Sequence, residues 1–343
     1  MNPLRFGIVG AGNIARTHAA ALRDSDRATL TAVAGGRGAA ELAVAEGARH
    51  HADRAALLAD PEVDAVVLCT PSGVRRDYAV AAAEHGKHVL VEKPIEVDRA
   101  RAEAIVAACE RHGVTLGVVY QSRFKPHCEA VHAAVERGSL GAPVLSSMAV
   151  KWHRPPAYYA DTAWRGTWAF DGGGALINQA IHNVDLLLWF QGDVRRVHAA
   201  AANRLHRDIE VEDTVVAHLE FVHGGLGVLE ATTATHPGSP RRIELHGTDG
   251  TIVLLDDEVD EWALRDGSPV PGHEVAAATA FAASTHVMSD HRWHQRQLED
   301  FVDAVREHRR PRVDGREGLR SLALVLAVYE SARTGRTVEV EPV

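Results

Sequence analysis

Gly10-Ala11-Gly12-Asn13-Ile14-Ala15 follows the short apolar run Arg5–Val9 directly and opens a segment, Ala15–Arg23, with helical patterning. A glycine pair at a strand-to-helix turn allows a tight bend and lets backbone N–H groups come close to a phosphate at the positive end of the helix. Gly10, Gly12, Asn13 and Ile14 are therefore expected to cradle the pyrophosphate of a dinucleotide.

Outward from this motif, strand-like and helix-like runs alternate. Thr29–Ala34, Ala65–Cys69, Val89–Val91 and Thr115–Tyr120 read as buried strands, and Ala39–Gly47, Tyr78–His85 and Val97–His112 as the helices between them. Strict alternation predicts a doubly wound parallel sheet, because parallel strands need crossover helices. After about residue 123 the pattern changes. A helix near Cys128–Arg137 and a strand over Pro143–Trp152 lead into a loop rich in Pro, Tyr and Trp, then a long helix from about Gly174 to Phe190. Val215, Ala217, Leu219 and Phe221 alternate with Thr214, His218 and Glu220, which suits an antiparallel sheet with one covered face. Two helices, near Arg292–Glu307 and Glu317–Thr334, close the chain. The expected fold is an α/β Rossmann domain over residues 1–123, and over 124–343 an α+β domain with a large, mostly antiparallel open sheet.

The chain has 343 residues, a size for two domains with cores of their own. With 37 Lys and Arg against 46 Asp and Glu it carries a net charge of −9, which argues against a general nucleic-acid binder. Residues 1–123 hold fifteen basic and fifteen acidic side chains, so the acidity belongs to the second domain and modestly favours an uncharged substrate. No apolar run approaches a membrane span, and the first residues lack the pattern of a signal peptide. Three cysteines without paired spacing fit a reducing cytoplasm.

A carboxylate at the end of the second strand would bind the ribose hydroxyl of NAD. Here Ala34-Gly35-Gly36-Arg37 stands in its place, while Asp24 and Asp26 precede the strand. Arg37 could pair with a 2′-phosphate, so NADP(H) is favoured, with NAD(H) the alternative.

Two blocks carry a family resemblance. The first is Thr70-Pro71-Ser72-Gly73 with Gly86-Lys87-His88-Val89-Leu90-Val91-Glu92-Lys93-Pro94. The second is Trp164-Arg165-Gly166-Thr167 with Gly172-Gly173-Gly174-Ala175-Leu176-Ile177-Asn178-Gln179-Ala180-Ile181-His182. Together they resemble the Gfo/Idh/MocA oxidoreductases, relatives of glucose–fructose oxidoreductase and inositol dehydrogenase. The resemblance implies that Thr70, Pro71 and Glu92 lie along the nicotinamide, with Lys93 beside both nicotinamide and substrate. It makes His182 the acid/base residue and puts Gln121 and Arg123 against cofactor and substrate respectively. Trp164 and Arg165 would close the cofactor cleft, and the second domain would also serve oligomerisation, as a dimer or tetramer.

Two departures from the family pattern stand out. Asn178 replaces an acid found in many relatives; an amide can bind a substrate hydroxyl but cannot take its proton, which leaves proton transfer to His182 and Lys93. The Asn-Gln-x-x-His form is also similar to relatives acting on nucleotide-linked amino sugars. Arg75 replaces a histidine, and either a phosphate or ribose contact or a solvated side chain fits it. The implied activity is hydride transfer between nicotinamide and a secondary alcohol or ketone of a sugar, sugar derivative or cyclitol. The alternatives are a redox-cycling glycosidase on the same fold and a non-catalytic cofactor or sugar sensor. No metal is expected: His286, His291 and His294 lack a completing ligand at a recognisable spacing, and His50-His51 reads as an exposed loop pair.

Overall fold

A computed structural model describes residues 2–160, 162–271 and 290–343. Its described residues form two compact units, one running to Gln121 and taking in 290–319, the other running from Ser122 and taking in Arg320–Val343.

The first unit alternates β1 (Leu4–Val9), α1 (Asn13–Arg23), β2 (Ala28–Ala34), α2 (Ala39–Ala45), β3 (Arg49–His51), α3 (Arg54–Ala59), β4 (Ala65–Leu68), α4 (Arg75–Glu84), β5 (His88–Val91), α5 (Arg99–His112) and β6 (Leu116–Val118). All six strands are parallel in the order β3-β2-β1-β4-β5-β6. The order reverses between β1 and β4, and in such sheets that switch point opens a crevice at the strand carboxyl ends. The β4 run Ala-Val-Val-Leu is buried throughout, as a strand covered on both faces requires. One expectation is corrected here. His50-His51 is no loop pair: it lies in the edge strand β3, where His51 Nε2 meets Asp60 Oδ2 at 2.9 Å. Polar side chains suit a short edge strand, and they hid it from a search for apolar runs.

The second unit contains α6 (Pro126–Glu136), β7 (Pro143–Lys151), α7 (Pro156–Ala160), a π-helical turn (Ala175–Ala180) running into α8 (Ile181–Gln191), and then β8 (Val194–Ala202), β9 (Thr214–Phe221), β10 (Leu226–Thr232), β11 (Arg242–Gly247), β12 (Gly250–Leu255) and β13 (Glu258–Leu264). Its sheet is antiparallel except where β7 runs parallel to β10. Val215, Ala217, Leu219 and Phe221 are all buried, as the alternation predicts. Val216, Leu226, Val228 and Leu145 are exposed apolar side chains on β9, β10 and β7.

The chain then returns to the first unit through α9 (Arg292–Glu307), so the units are not separated by a single cut after residue 123. The reason is apolar packing. Leu298, Phe301 and Val302 on α9 join Phe6, Ile8, Ala19 and Val33 in one core, and each large side chain so buried contributes roughly 1.5–3 kcal/mol. In the second unit, Ser331, on the part of α10 (Gly315–Thr334) that belongs to it, accepts the Ala199 N–H through its hydroxyl at 2.9 Å, and β14 (Val338–Glu339) pairs with β8.

Candidate functional site

In the first unit, β1 delivers the chain into Gly10 at φ +111°, where a Cβ would lie 2.6 Å from the Cys69 carbonyl oxygen. Only glycine fits there without moving β4. The amino end of α1 has Gly12 as its N-cap, with no side chain capping it, and a Cβ on Gly12 would meet nothing within 4 Å among the described residues. An open helix terminus of this kind presents the N–H groups of its first turn, including Asn13 and Ile14, to an anion. At the carboxyl ends of neighbouring strands, Thr70 Oγ1 and Gln121 Oε1 are buried without a protein hydrogen-bond partner among the described residues. Buried polar atoms of this kind call for a ligand or water. A dinucleotide fits both the open helix end and these atoms.

Arg75 narrows an alternative left open by the sequence. It is not a solvated side chain: it is buried, donates to the Thr70 carbonyl from Nε and Nη2 at 3.2 and 3.0 Å, and reaches the Pro94 carbonyl through Nη1. One guanidinium thus ties the Thr-Pro turn to the Glu92-Lys93-Pro94 segment. Lys93 itself is half-buried, and its backbone N–H donates to Glu92 Oε2 at 3.1 Å. Arg37 is exposed beyond the end of β2.

Behind Lys93 lies a cluster that sequence reasoning missed. His18, Glu92 and His294 are all buried, with donor atoms within 4.8 Å of one another. His18 Nε2 donates to Glu92 Oε1 at 2.8 Å, and the His18 and His294 rings meet edge to face at 5.3 Å. Two imidazoles and a carboxylate form a zinc-type donor set, but ligands about 2 Å from a shared ion sit more than 3 Å apart, so the 2.8 Å contact is a hydrogen bond. Burial would push the Glu92 carboxyl up; the His18 hydrogen bond and nearby charges outweigh it and hold it at about 2. Burial drives His294 down to about 3. His291 instead meets Asp24 at 2.6 Å, and His286 lies outside the described residues.

In the second unit, the π-helical turn and α8 carry Asn178 and His182 one turn apart. Asn178 Nδ2 donates to Asp171 Oδ1 at 2.8 Å, and Asp171 Oδ2 accepts the Gly166 N–H at 2.7 Å, which links the Trp164–Thr167 block to the helix. Gln179 Nε2 donates to Asn178 Oδ1 and to the Tyr158 hydroxyl, while Gln179 Oε1 accepts from Arg154. Arg154 and Arg165 lie 5.1 and 4.2 Å from the Tyr158 ring centroid, and Arg165 also packs 5.1 Å from the Trp164 ring. Arg123, expected against substrate, is buried and makes a two-point ion pair with Asp185 at 2.8 and 2.7 Å. Arg154, Tyr158 and Asp171 join the site only through folding, with the Trp- and Tyr-rich loop as the sequence signal for Arg154 and Tyr158; Gln179 already stands in the second family block.

Comparison with known proteins follows the same division of the chain. Residues 4–120 match the profile described as "Oxidoreductase family, NAD-binding Rossmann fold", and residues 128–253 match "GFO/IDH/MocA C-terminal domain". The chain belongs to the Gfo/Idh/MocA oxidoreductase family. A D-apiose dehydrogenase of Paraburkholderia graminis is 30% identical over 97% of this chain and 89% of its own. An inositol 2-dehydrogenase of Rhizobium meliloti is 28% identical over 98% and 99%. Among solved structures, the WlbA dehydrogenase of Bordetella pertussis, in complex with NADH and UDP-GlcNAcA, is 35% identical with a TM-score of 0.87, covering 99% of both chains. The oxidoreductase thus has the fold and the NAD-binding family that its two sequence blocks imply.

Proposed function

We propose that this oxidoreductase exchanges a hydride between a nicotinamide cofactor and a secondary alcohol of a sugar or sugar derivative, with Lys93 and His182 handling the hydroxyl proton. The observation that carries the reading is the first unit's set of strand ends. There an uncapped α1 terminus, two unpartnered buried oxygens and the Lys93 segment stand at the strand carboxyl ends, with Arg75 tying the Thr70 carbonyl to that of Pro94. When bound, the nicotinamide supplies the hydride chemistry. Lys93 offers an ammonium to stabilise the developing alkoxide. The His182 imidazole suits proton exchange near neutral pH, where an ordinary histidine titrates at about 6.5. The Asn178 amide, fixed by Asp171 and Gln179, orients a hydroxyl without taking its proton.

Within this class, one observation favours substrates bearing an anionic group. Arg154 and Arg165 flank Tyr158 beside Gln179 and Asn178, giving local positive charge in the otherwise acidic half of the chain. The WlbA complex with UDP-GlcNAcA supports the same choice over the free sugar or cyclitol favoured by net charge alone. For the cofactor, the Arg37 side chain and the absence of a carboxylate from residue 34 to 37 support NADP(H). Three free cysteines support a reducing compartment such as the cytoplasm, and no described helix is long and apolar enough to cross a membrane. The apolar row of Leu145, Val216, Leu226 and Val228 supports a homo-oligomer built on the second sheet's open face.

The test is an absorbance screen at the reduced-nicotinamide band, with both cofactors against free sugars, cyclitols and nucleotide sugars. Turnover that collapses in Lys93→Met while cofactor binding persists is the expected result. Tight cofactor binding without turnover on any polyol would replace the reading with a sensor. Release of an aryl alcohol from an aryl glycoside, without net reduction of cofactor, would replace it with a redox-cycling glycosidase.

A further inference from the structure

The triple glycine Gly172-Gly173-Gly174 precedes the helical segment that bears Asn178 and His182, and its packing partners explain its composition. A Cβ on Gly174 would overlap the Glu212 carbonyl oxygen, and one on Gly173 would overlap the Tyr329 hydroxyl. Both partners are therefore pressed against the backbone at the point where the helix begins.

Glu212 uses all its acceptors there. Oε2 takes the Gly174 N–H at 2.8 Å, Oε1 takes the Leu176 N–H at 2.9 Å, and the backbone oxygen takes the Ala175 N–H at 3.1 Å. The Tyr329 hydroxyl donates to Glu212 Oε1 at 3.1 Å and accepts the Ile177 N–H at 3.3 Å. Four successive residues, 174 to 177, thus have their N–H groups held by two side chains and one carbonyl. These are the donors that a helix start leaves without an intrahelical partner. Burial pushes the Glu212 carboxyl up to about 7 against the pull of the Leu176 and Gly174 N–H groups, so near neutral pH it places part of a negative charge at the positive end of the segment. Glu212 is 6% exposed, whereas an ordinary capping carboxylate is solvated.

We infer that Glu212, acting with Tyr329, is a positioning residue that sets where Asn178 and His182 stand in the substrate site. The role rests on the proposed function for its catalytic meaning, but the placement of His182 can be read without turnover. The clamp fixes the backbone of residue 174, one turn before Asn178 and two turns before His182. A displacement of an ångström at a reacting group costs on the order of a hundredfold in rate.

The experiment compares the full chain with Glu212→Gln and Tyr329→Phe. The amide of Glu212→Gln keeps one acceptor but turns N–H groups toward a backbone donor, and Tyr329→Phe deletes the second link with little change in shape. Each is measured for kcat, KM and NADH affinity, and for the His182 ring resonance in histidine-labelled protein, assigned through His182→Gln. The expected result is a fall in kcat of roughly tenfold or more, with NADH affinity unchanged and the His182 resonance and its titration displaced. If Glu212→Gln does not fold, Tyr329→Phe decides the same question alone. An unmoved His182 resonance in every folded variant overturns the inference, as does unchanged kcat in an active enzyme. Absence of turnover in the wild-type chain would instead overturn the proposed function and leave the resonance to judge the clamp.

Discussion

Acid stability offers a measurement that isolates one buried group. Burial lowers His294 from 6.5 to about 3, so between these values the unfolded chain binds a proton that the folded chain refuses. Acidification therefore favours unfolding, and stability falls as pH drops through that window. At pH 5, one and a half units below the unfolded value, His294 accounts for a loss of about 2 kcal/mol at about 1.4 kcal/mol per unit. Glu92 is held at about 2, below its ordinary 4.5, so its contribution is fully present above pH 4.5 and is lost only as pH falls from there toward 2. Glu212, pushed up to about 7 by burial, takes a proton in the folded chain over the same range and opposes this loss, so the His294 contribution is read as the difference between wild type and a His294 variant at pH 7.5 and pH 5. The perturbation is His294→Gln, which cannot titrate and keeps a polar end. The assay is urea unfolding followed by tryptophan fluorescence, with Trp293 as a neighbouring reporter. Groups not in contact with His294 contribute equally to both proteins, so the wild type should lose about 2 kcal/mol more than the variant between the two pH values. Equal losses would refute the reasoning, because His294 would then titrate alike in the folded and unfolded chain.

Arg75→Met should leave the Thr70 and Pro94 carbonyls without their shared donor and weaken cofactor binding by roughly tenfold, about 1.4 kcal/mol; NADH titration checks it. Gly10→Ala should abolish cofactor binding, since the new methyl needs φ +111° and a place 2.6 Å from the Cys69 carbonyl oxygen; the same titration reads it. Arg37→Ala should weaken NADPH binding by roughly tenfold while leaving NADH within twofold, as loss of one exposed charge pair requires. Equal or tighter NADH binding by the wild-type chain would remove the cofactor preference.

Short-range signals survived translation into structure because they act over a few residues. Glycines before α1, the buried Ala-Val-Val-Leu of β4 and the alternation in β9 each dictate a local conformation or a buried face. Arg49–His51 escaped because an edge strand needs no apolar alternation, and the Arg123–Asp185 ion pair escaped because the partners lie 62 residues apart. A buried guanidinium must be paired, but sequence does not say with what.

By itself, then, the sequence determined the two kinds of sheet, the dinucleotide turn and the family blocks that contain Lys93 and His182. All are contiguous patterns whose physics is local. Only tertiary structure decided which polar groups meet. It joined His18 to Glu92 across 74 residues, brought His294 to them, turned Arg75 inward and closed Tyr329 on Glu212 across 117 residues. Such pairings follow from the need to satisfy every buried donor, acceptor and charge once the chain is packed, and the available partners are defined only after the core has formed.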